Sequence, residues 1–432
     1  SLKIWKLAKK KILSGNSLLS KKPELFLPKF WPTYYKKAKK LHVWDLENKK
    51  YLDMIFAVGQ NTLGYSNKFV DRAVQLEIKN GNICSLNSLK EVEMAKLLLS
   101  LHKWADKAKF AKSGGEANAI AIRIARSSCK NNDNVAISGY HGWHDWYLSV
   151  NLSGKEKLKD HLLPGLEPIG VPKKLRNTVF PFQNGNIDQL YKIYKKNGLG
   201  VVKMEIARSH MPDEKFLEEV RDFCDRKKIV LIFDECTSGF RNNLGGIHLL
   251  TKIRPDIAMF GKAMGNGYPI TAVIGKEKFM NAAKKSFISS TFWSESIGFA
   301  AGIATIKYMK NNESYKTLIK NGNYIKKRWE KLGLQYELNL DIGGIGPISS
   351  FNFKNSRHQL YKTFITQEML KYGYLASNLI YLTIHHNKKV IDEYSYYLEK
   401  VFKKIKTAEI KKKYNNLLKG NVSVSTFQRL IK

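Results

Sequence analysis

Short apolar runs alternate with one-sided helical patterns through the middle of the chain. The runs have the length and composition of buried strands and lie at residues 134–138, 201–206, 229–234, 256–260 and 271–275. Between the second and third runs, apolar residues recur with the spacing of one helix face, at Phe216, Leu217, Val220, Phe223 and Cys224. This alternation predicts an α/β fold, with a mostly parallel sheet covered by helices on both faces.

The two ends of the chain have a different pattern. Residues 1–60 form an N-terminal segment with two strand-like pieces, 43–45 and 51–54, around a turn at 47–50. From about residue 312 onward, helical patterns at 315–332, 359–372 and 388–406 flank strand-like pieces at 348–353 and 379–384. We therefore expect a large domain over 61–311 and a smaller α+β domain over 312–432, with a basic tail after about 407.

The composition is that of a globular protein, since 43% of the 432 residues are hydrophobic and 12% are aromatic. The chain contains no run of about 18 apolar residues, so we expect no membrane span. Residues 1–13 are basic and amphipathic but lack the compact apolar core and cleavage site of a secretory signal. Cys84, Cys129, Cys224 and Cys236 are widely spaced, so we expect a cytoplasmic chain with reduced thiols.

The charge is strongly basic, with 74 lysines and arginines against 37 aspartates and glutamates, a formal net charge of +37. Such a balance occurs in proteins that bind nucleic acids or anionic membranes. Here the excess is mostly lysine and is spread over the whole chain, without an arginine-rich stripe or an aromatic and basic platform. We therefore expect no specific nucleic-acid partner, while an anionic substrate is compatible with the charge.

An aspartate and a lysine that each follow an apolar run give the strongest chemical signal. Asp234 ends the run 229–234 within FDECTSGFR, and Lys262 follows the run 256–260 within FGKAMGNGYP, between two glycines. Enzymes that use pyridoxal phosphate have this layout. The lysine forms a Schiff base with the aldehyde, and the carboxylate keeps the ring nitrogen protonated so that the ring can accept electrons from the substrate. Either residue alone would be an ordinary strand end or surface lysine, but the pair indicates this chemistry.

Two glycines directly before a helical pattern suggest a phosphate site. In KSGGEANAIAIRIAR, residues 112–126, Ser113, Gly114 and Gly115 precede a helix with a one-sided apolar face. Backbone N–H groups at such a helix start attract a phosphate. The alternative is that Ser113 is an ordinary N-cap.

The segment YHGWHD, residues 140–145, follows a strand and places Tyr140 where its ring could stack on a planar cofactor. A packed core tyrosine is the alternative. His141 and His144 are three residues apart, so a metal site has to be considered. No cysteine or further histidine lies nearby in the sequence, and we therefore expect no metal.

Taken in order, SGGEA, YHGWHD, DECTSGFR, GKAMGNGYP and TFWSES resemble the class III aminotransferases of pyridoxal-phosphate fold type I. The resemblance is strongest to the glutamate-1-semialdehyde aminomutase branch and covers roughly residues 10 to 400. It implies a PLP-dependent aminotransferase that moves an amino group between an amino donor and a carbonyl substrate through an internal aldimine on Lys262. An aminomutase, an ammonia-lyase on the same scaffold and a basic binding protein that has lost catalysis stay open as alternatives.

The resemblance also implies the residues that hold the cofactor. These are Ser113, Gly114, Gly115, Tyr140, Glu205, Asp234, Cys236, Lys262 and Thr291. Tyr140 would stack on the ring, with Cys236 on the other face, where the family usually has valine. Thr291 matches a threonine that reaches the phosphate from the neighbouring subunit, which implies a homodimer with shared active sites. An ordinary strand residue is the alternative for Thr291.

Several positions depart from the aminomutase pattern. Ile206 replaces the proline after the pocket glutamate, and His210 replaces an asparagine near the cofactor hydroxyl. Tyr381 aligns where aminomutases keep an active-site glutamate, and Lys21 is the nearest match to their N-terminal arginine. Arg208 could bind a substrate anion or form a structural salt bridge. These departures leave the cofactor chemistry in place and predict that glutamate-1-semialdehyde is not the physiological substrate.

Overall fold

The computed structural model describes residues 1–130, 132–414 and 417–425. The chain folds into two compact units. One, the terminal unit, comprises Ser1–Asn67 with Lys316–Lys432, and the other, the sheet unit, comprises Lys68–Tyr315. All nine residues predicted for the site belong to the sheet unit.

Strands and helices alternate between residues 107 and 234. The strands are β1 (Tyr35–Lys39), β2 (His42–Asp45), β3 (Lys50–Asp53), β4 (Lys107–Ala111), β5 (Val135–Ser138), β6 (Val179–Pro181), β7 (Val201–Glu205), β8 (Val230–Asp234), β9 (Ile257–Phe260), β10 (Thr271–Gly275), β11 (Leu340–Gly344), β12 (Ile348–Phe353), β13 (Tyr374–Leu375) and β14 (Leu379–Tyr381). The helices are α1 (Leu2–Lys11), α2 (Lys68–Lys79), α3 (Leu89–Leu101), α4 (Gly114–Ser127), α5 (Asp145–Leu148), α6 (Ile187–Asn197), α7 (Glu214–Lys227), α8 (Glu277–Ala282), α9 (Ser296–Asn311), α10 (Ser314–Gln335), α11 (His358–Lys371) and α12 (Lys388–Ile410).

The sheet unit is built on one mostly parallel sheet with the strand order β4-β10-β9-β8-β7-β5-β6. Neighbouring strands from β6 to β9 pair in parallel, and β10 runs antiparallel to both β9 and β4. The predicted α/β fold of type I is therefore confirmed. Parallel pairing places the carboxyl ends of β7, β8 and β9 at one edge of the sheet, where ligands bind in such folds.

Burial explains why these strands read as continuous apolar runs. Every residue of β5, β7, β8, β9 and β10 is buried. The predicted helix after β7 is found as α7. It begins at the N-cap Asp213, whose Oδ1 accepts the backbone N–H of Lys215 at 3.1 Å, and it buries the apolar face that the sequence predicts.

The terminal unit combines two small sheets with long helices. Their strand orders are β1-β2-β3-β13 and β11-β12-β14. The predicted C-terminal helices are found as α10, α11 and α12. Their apolar residues, among them Trp329 and Phe402, share one core cluster with Phe351 of β12. The predicted basic tail from about 407 starts within α12, and its residues 415, 416 and 426–432 lie outside the described residues.

The described ranges contain no helix that is both long enough and apolar enough to cross a bilayer. The four cysteines are free thiols.

Candidate active site

The carboxyl ends of β7, β8 and β9 carry the first group of site residues. Glu205 of β7 pairs in register with Asp234 of β8, which pairs in turn with Met259 of β9. Both acids are almost completely buried. Strand pairing thus brings together two predicted site residues that are far apart in the sequence.

Two uncharged donors hold Asp234. Its Oδ1 accepts the backbone N–H of Cys236 at 3.0 Å, and its Oδ2 lies 2.8 Å from Nδ1 of the fully buried His141. Burial lowers the pKa of His141, so we assign a neutral ring whose Nδ1–H donates to the carboxylate. The 3.2 Å contact between His141 Nε2 and the carbonyl of Ser138 is then not a hydrogen bond, because neither atom has a proton.

The two histidines of the YHGWHD segment have different neighbours. His141 contacts Asp234, whereas His144 packs beside Trp143, with ring centroids 4.5 Å apart. A Cβ on Gly115 would lie 2.8 Å from the His144 ring, so glycine is needed for this close approach. In the part of the chain that the structure describes, no group of three or more His, Cys, Asp or Glu side chains could hold a metal ion.

A lysine that the sequence does not single out also faces Asp234. Lys203 lies in the middle of β7 and is fully buried, with its Nζ 3.6 Å from Oδ2 of Asp234. Burial acts to raise the pKa of Asp234, but the charge of Lys203 and the hydrogen bond from His141 bring it well below its ordinary value. The carboxylate is therefore ionised, as a partner of a protonated ring nitrogen must be.

Lys262 begins a 3₁₀ turn, Lys262–Gly265, directly after β9 and Gly261. Its φ of 43° lies in the left-handed region, which few residues with a side chain adopt. The Nζ donates to Oγ1 of Thr237 at 2.9 Å. Burial has the larger effect and the nearby charge of Arg208 the smaller, and both lower the pKa of Lys262. The Lys262 amine therefore has an uncharged acceptor and loses its proton more readily than an ordinary lysine.

Glu205 connects the remaining polar groups at the strand ends. Its Oε2 accepts the backbone N–H of Tyr140 at 2.9 Å and Nε of Arg208 at 3.0 Å, and its Oε1 accepts Nη2 of Arg208 at 2.6 Å. The same Nη2 donates to Thr237 Oγ1 at 3.2 Å, so this hydroxyl contacts both Arg208 and Lys262. Although burial acts to raise it, Arg208 brings the pKa of Glu205 below its ordinary value.

Ser113, Gly114 and Gly115 form the beginning of α4. Ser113 is the N-cap of a capping box, in which its Oγ accepts the N–H of Glu116 at 3.3 Å and Glu116 Oε2 accepts the N–H of Ser113 at 2.7 Å. Within the described residues, this arrangement leaves the N–H groups of Gly114 and Gly115 without an acceptor. Two open donors at a helix N-terminus fit the phosphate of the cofactor that the sequence implies.

The thiol of Cys236 lies between this helix start and the Lys262 segment. A Cβ on Gly114 would be 3.3 Å from Cys236 Sγ, and a Cβ on Gly261 would be 2.8 Å from it. Burial raises the pKa of Cys236 to about 12. The thiol therefore stays protonated and acts as a small packing group between the start of α4 and the Lys262 segment.

Thr291 is set apart from the other predicted site residues. Among the described residues, it makes no contact with any of them. It is exposed and begins the 3₁₀ turn Thr291–Ser294, where its carbonyl accepts the hydroxyl of Ser294 at 3.2 Å. Two residues later, Trp293 Nε1 donates to Glu116 Oε1 at 3.0 Å, so the segment borders the start of α4.

Three residues have roles that the sequence does not predict. Lys203 interrupts the apolar run 201–206 with a charge, and this break in the pattern is the signal that could have identified it. Thr237 stands inside DECTSGFR, but nothing local to that motif shows that its hydroxyl faces Lys262. The sequence analysis considers His141 only for a metal site, which it does not expect, and the structure pairs its ring with the carboxylate of Asp234.

Known proteins support the same chemistry. The family model described as aminotransferase class-III matches residues 28–384. The chain is 31% identical to the 3-aminobutyryl-CoA aminotransferase of Cloacimonas acidaminovorans (strain Evry), over 88% of this chain and 89% of that protein. It is 29% identical to the glutamate-1-semialdehyde 2,1-aminomutase of Wigglesworthia glossinidia brevipalpis, over 92% of this chain and 96% of that protein.

Solved structures have the same fold at lower identity. The FumI protein of Sphingopyxis sp. MTA144, in its PLP internal aldimine form, superposes with a TM-score of 0.85 at 21% identity and covers 96% of this chain and 99% of its own. An omega-transaminase from Sphaerobacter thermophilus has a TM-score of 0.82 at 17% identity, with coverages of 93% and 97%. The chain therefore belongs to the class III aminotransferase family and is a pyridoxal-phosphate enzyme.

Proposed function

We propose that this enzyme carries out net amino transfer between an amino donor and a carbonyl acceptor, with Lys262 as the catalytic residue. The observation that carries this proposal is the position of the Lys262 amine, 2.9 Å from the neutral Thr237 hydroxyl, in a turn that follows β9 at the edge carrying Asp234 and Glu205. An amine held by an uncharged acceptor can lose its proton, as a base must.

Bound pyridoxal phosphate supplies an aldehyde that captures the amine and a ring that accepts electron density from the α-carbon. The residues proposed to hold it follow the sequence prediction. Ser113, Gly114 and Gly115 would bind the phosphate, Tyr140 and Cys236 would lie against the ring, Glu205 would belong to the pocket, and Asp234 would face the ring nitrogen. The open N–H groups of α4 and the ionised state of Asp234 support these roles.

Lys262 would move the proton at the substrate's α-carbon. Burial and the charge of Arg208 lower the pKa of Lys262, which increases the fraction of neutral amine near pH 7. Thr237 would fix the direction of the amine through its hydroxyl. Arg208 pairs with Glu205 through two hydrogen bonds, which is the structural salt bridge that the sequence left open as an alternative to anion binding.

Single-turnover absorbance spectra with a panel of amino donors test the proposal. A donor such as glutamate or alanine should convert the bound cofactor to its amine form and release one equivalent of keto acid without any acceptor present. Adding a keto or aldehyde acceptor should restore the starting spectrum. Failure of every donor to change the spectrum, in protein that is fully loaded with cofactor, would contradict the proposal.

An aminomutase is the second candidate, because several relatives are glutamate-1-semialdehyde 2,1-aminomutases with 27–31% identity. The departures at Ile206, His210 and Tyr381 argue for a different substrate, since a pocket built around polar contacts discriminates strongly when those partners change. The test compares isomerisation of the semialdehyde with net transfer from glutamate or alanine. Efficient isomerisation without an external amino donor would make the enzyme an aminomutase.

We further propose a homodimer in which Thr291 completes the phosphate site of the neighbouring subunit. Thr291 is exposed and is flanked by the exposed aromatic residues Phe287 and Phe292, whose side chains are 84% and 69% accessible. Leu86, 81% accessible, is another large apolar side chain of the same unit that is exposed in the monomer. A second copy of the chain would cover such residues, since exposed apolar patches usually mark interfaces.

Mixing of two inactive or weakened variants tests the shared site. A heterodimer of Lys262→Ala and Thr291→Ala subunits contains one doubly damaged site and one intact site, so part of the activity should return. Thr291→Ser, which keeps the hydroxyl, serves as the matched control. Subunit exchange without recovery would argue against a shared site.

We also propose a cytoplasmic location, which the four free thiols support. Fractionation of the source cells, followed by detection of the protein in each fraction, tests this. Recovery mainly outside the cytoplasmic fraction would contradict it.

A further inference from the structure

Lys203 is an unusual residue for the centre of a buried sheet. It lies in the middle of β7 with no exposed surface, and its strand neighbours Val202 and Met204 are also fully buried. Moving an ammonium group out of water costs several kcal/mol unless a partner compensates for the lost hydration. A lysine at this position therefore needs a specific contact.

The contact lies at the catalytic edge of the sheet. The Nζ of Lys203 is 3.6 Å from Oδ2 of Asp234 on β8 and 3.2 Å from Sδ of Met259 on β9. The side chain thus extends from β7 across β8 to β9, which are adjacent in the sheet. Thioether sulfur is a weak acceptor, so the ion pair with Asp234 is the contact that can compensate the buried charge.

The other groups around Asp234 donate hydrogen bonds without adding charge. His141 is assigned as a neutral ring, and Cys236 contributes only its backbone N–H. Glu205 lies next to Asp234 on β7 and is an anion, which would disfavour a second negative charge nearby. Burial acts to lower the pKa of Lys203, and the ion pair with Asp234 opposes this effect. In its charged form, Lys203 offsets both burial and the neighbouring acid at this carboxylate.

We infer that Lys203 is a positioning residue for the cofactor ring, which it serves by keeping Asp234 ionised and fixed toward the ring nitrogen. The inference rests on the proposed role of Asp234. It implies that the preference of the apoenzyme for a ring with a nitrogen, over the same ring without one, depends on Lys203.

The experiment measures equilibrium binding of pyridoxal phosphate and of its deaza analogue, in which carbon replaces the ring nitrogen, to the apoenzyme. The ratio of the two affinities cancels contributions from the phosphate and from the bond to Lys262, because both ligands carry the phosphate and the aldehyde. Lys203→Met removes the charge and keeps an unbranched side chain of similar length. Met259→Leu is the matched control, because it changes the packing around Lys203 and keeps its charge.

We expect Lys203→Met to lower the preference for pyridoxal phosphate by about tenfold, the equivalent of one unit in the pKa of the carboxyl group. Met259→Leu should leave the ratio within about twofold of the original, as volume-conserving core changes usually do. In the Asp234→Asn background, Lys203→Met should cause no further change, since coupled residues are not additive. Lys203→Gln provides the same comparison if the methionine variant does not fold.

The outcomes separate the two proposals. An unchanged or larger ratio in Lys203→Met, with a ratio that collapses in Asp234→Asn, would overturn the role of Lys203 and leave that of Asp234 intact. A ratio that is unaffected by Asp234→Asn would overturn the proposed role of Asp234, and with it the inference on Lys203. A fall of similar size in Met259→Leu would show that packing, and not charge, determines the preference, and would also overturn the inference.

Discussion

Two lysines in the sheet unit show how the same side chain is adapted to different tasks. Lys203 sits inside a regular strand, is sealed from solvent and has an anion, Asp234, as its partner. Lys262 sits two residues beyond the end of a strand, in a left-handed backbone conformation, and its partner is the neutral hydroxyl of Thr237. The ion pair with Asp234 favours the charged form of Lys203 and opposes the burial that lowers its pKa, whereas the hydroxyl that holds Lys262 carries no charge to oppose loss of the proton.

The difference arises from position along the strands. A lysine in the middle of a strand is held in the sheet interior, where only a paired charge is tolerated. A lysine just past the end of a strand can reach the edge of the sheet, where parallel strands present their ligand-binding groups. Burial lowers the pKa of both amines, but only Lys203 has an aspartate against it to oppose this effect directly.

Lys262→Ala should have the largest effect. Loss of the group that we propose as the carrier of the substrate proton should reduce turnover by about a thousandfold or more. Lys203→Met should retain measurable turnover, because it changes only the support of Asp234. Steady-state assays of both variants at saturating cofactor check this order. Equal loss in the two variants would remove the functional distinction between the lysines.

Asp234→Asn should reduce turnover by about a hundredfold, because an amide cannot stabilise positive charge on the ring nitrogen. His141→Gln, which can still donate a hydrogen bond to Asp234, should lose far less. Turnover measured with the cofactor in excess separates this effect from weaker cofactor binding. Near-normal turnover in Asp234→Asn would show that the buried carboxylate serves folding alone.

The sequence predicts the parallel sheet, Asp234 and Lys262 from local patterns, whereas most of the other proposed site residues come from the resemblance to the family. The runs that become β7, β8 and β9 are apolar since their strands are buried on both faces, and Asp234 and Lys262 are marked by their places after those runs. The contacts made by Lys203 and Thr237 could not be predicted, because they depend on the register between strands far apart in sequence. The short strands β6 and β13 have too few residues to show a period.

Thr237→Val should reduce turnover by about tenfold, because it removes the acceptor of Lys262 and one acceptor of Arg208 without changing the side-chain volume much. Thr237→Ser retains the hydroxyl and should keep most of the activity. Comparison of kcat for the two variants checks the prediction. If valine and serine behave alike, the hydroxyl does not orient the catalytic amine.

Arg208→Gln should have the smallest effect of these variants, a shift in the pH dependence of kcat. Removing this cation takes away a charge that lowers the pKa of Lys262, so the pKa should rise. A base acts when deprotonated, and the rising limb of kcat against pH should therefore move to higher pH, by up to about one unit. Arg226→Gln, on the outer surface of α7, is the control. A shift to lower pH would contradict the electrostatic account.

The most direct test of the account is to locate the covalent attachment of the cofactor. The purified holoenzyme is treated with borohydride, digested, and analysed by mass spectrometry, so that each lysine peptide is examined for the added mass of the reduced cofactor. The account predicts the modification on Lys262, with Lys203 unmodified. Attachment to Lys203 or another lysine, with Lys262 unmodified, would contradict it.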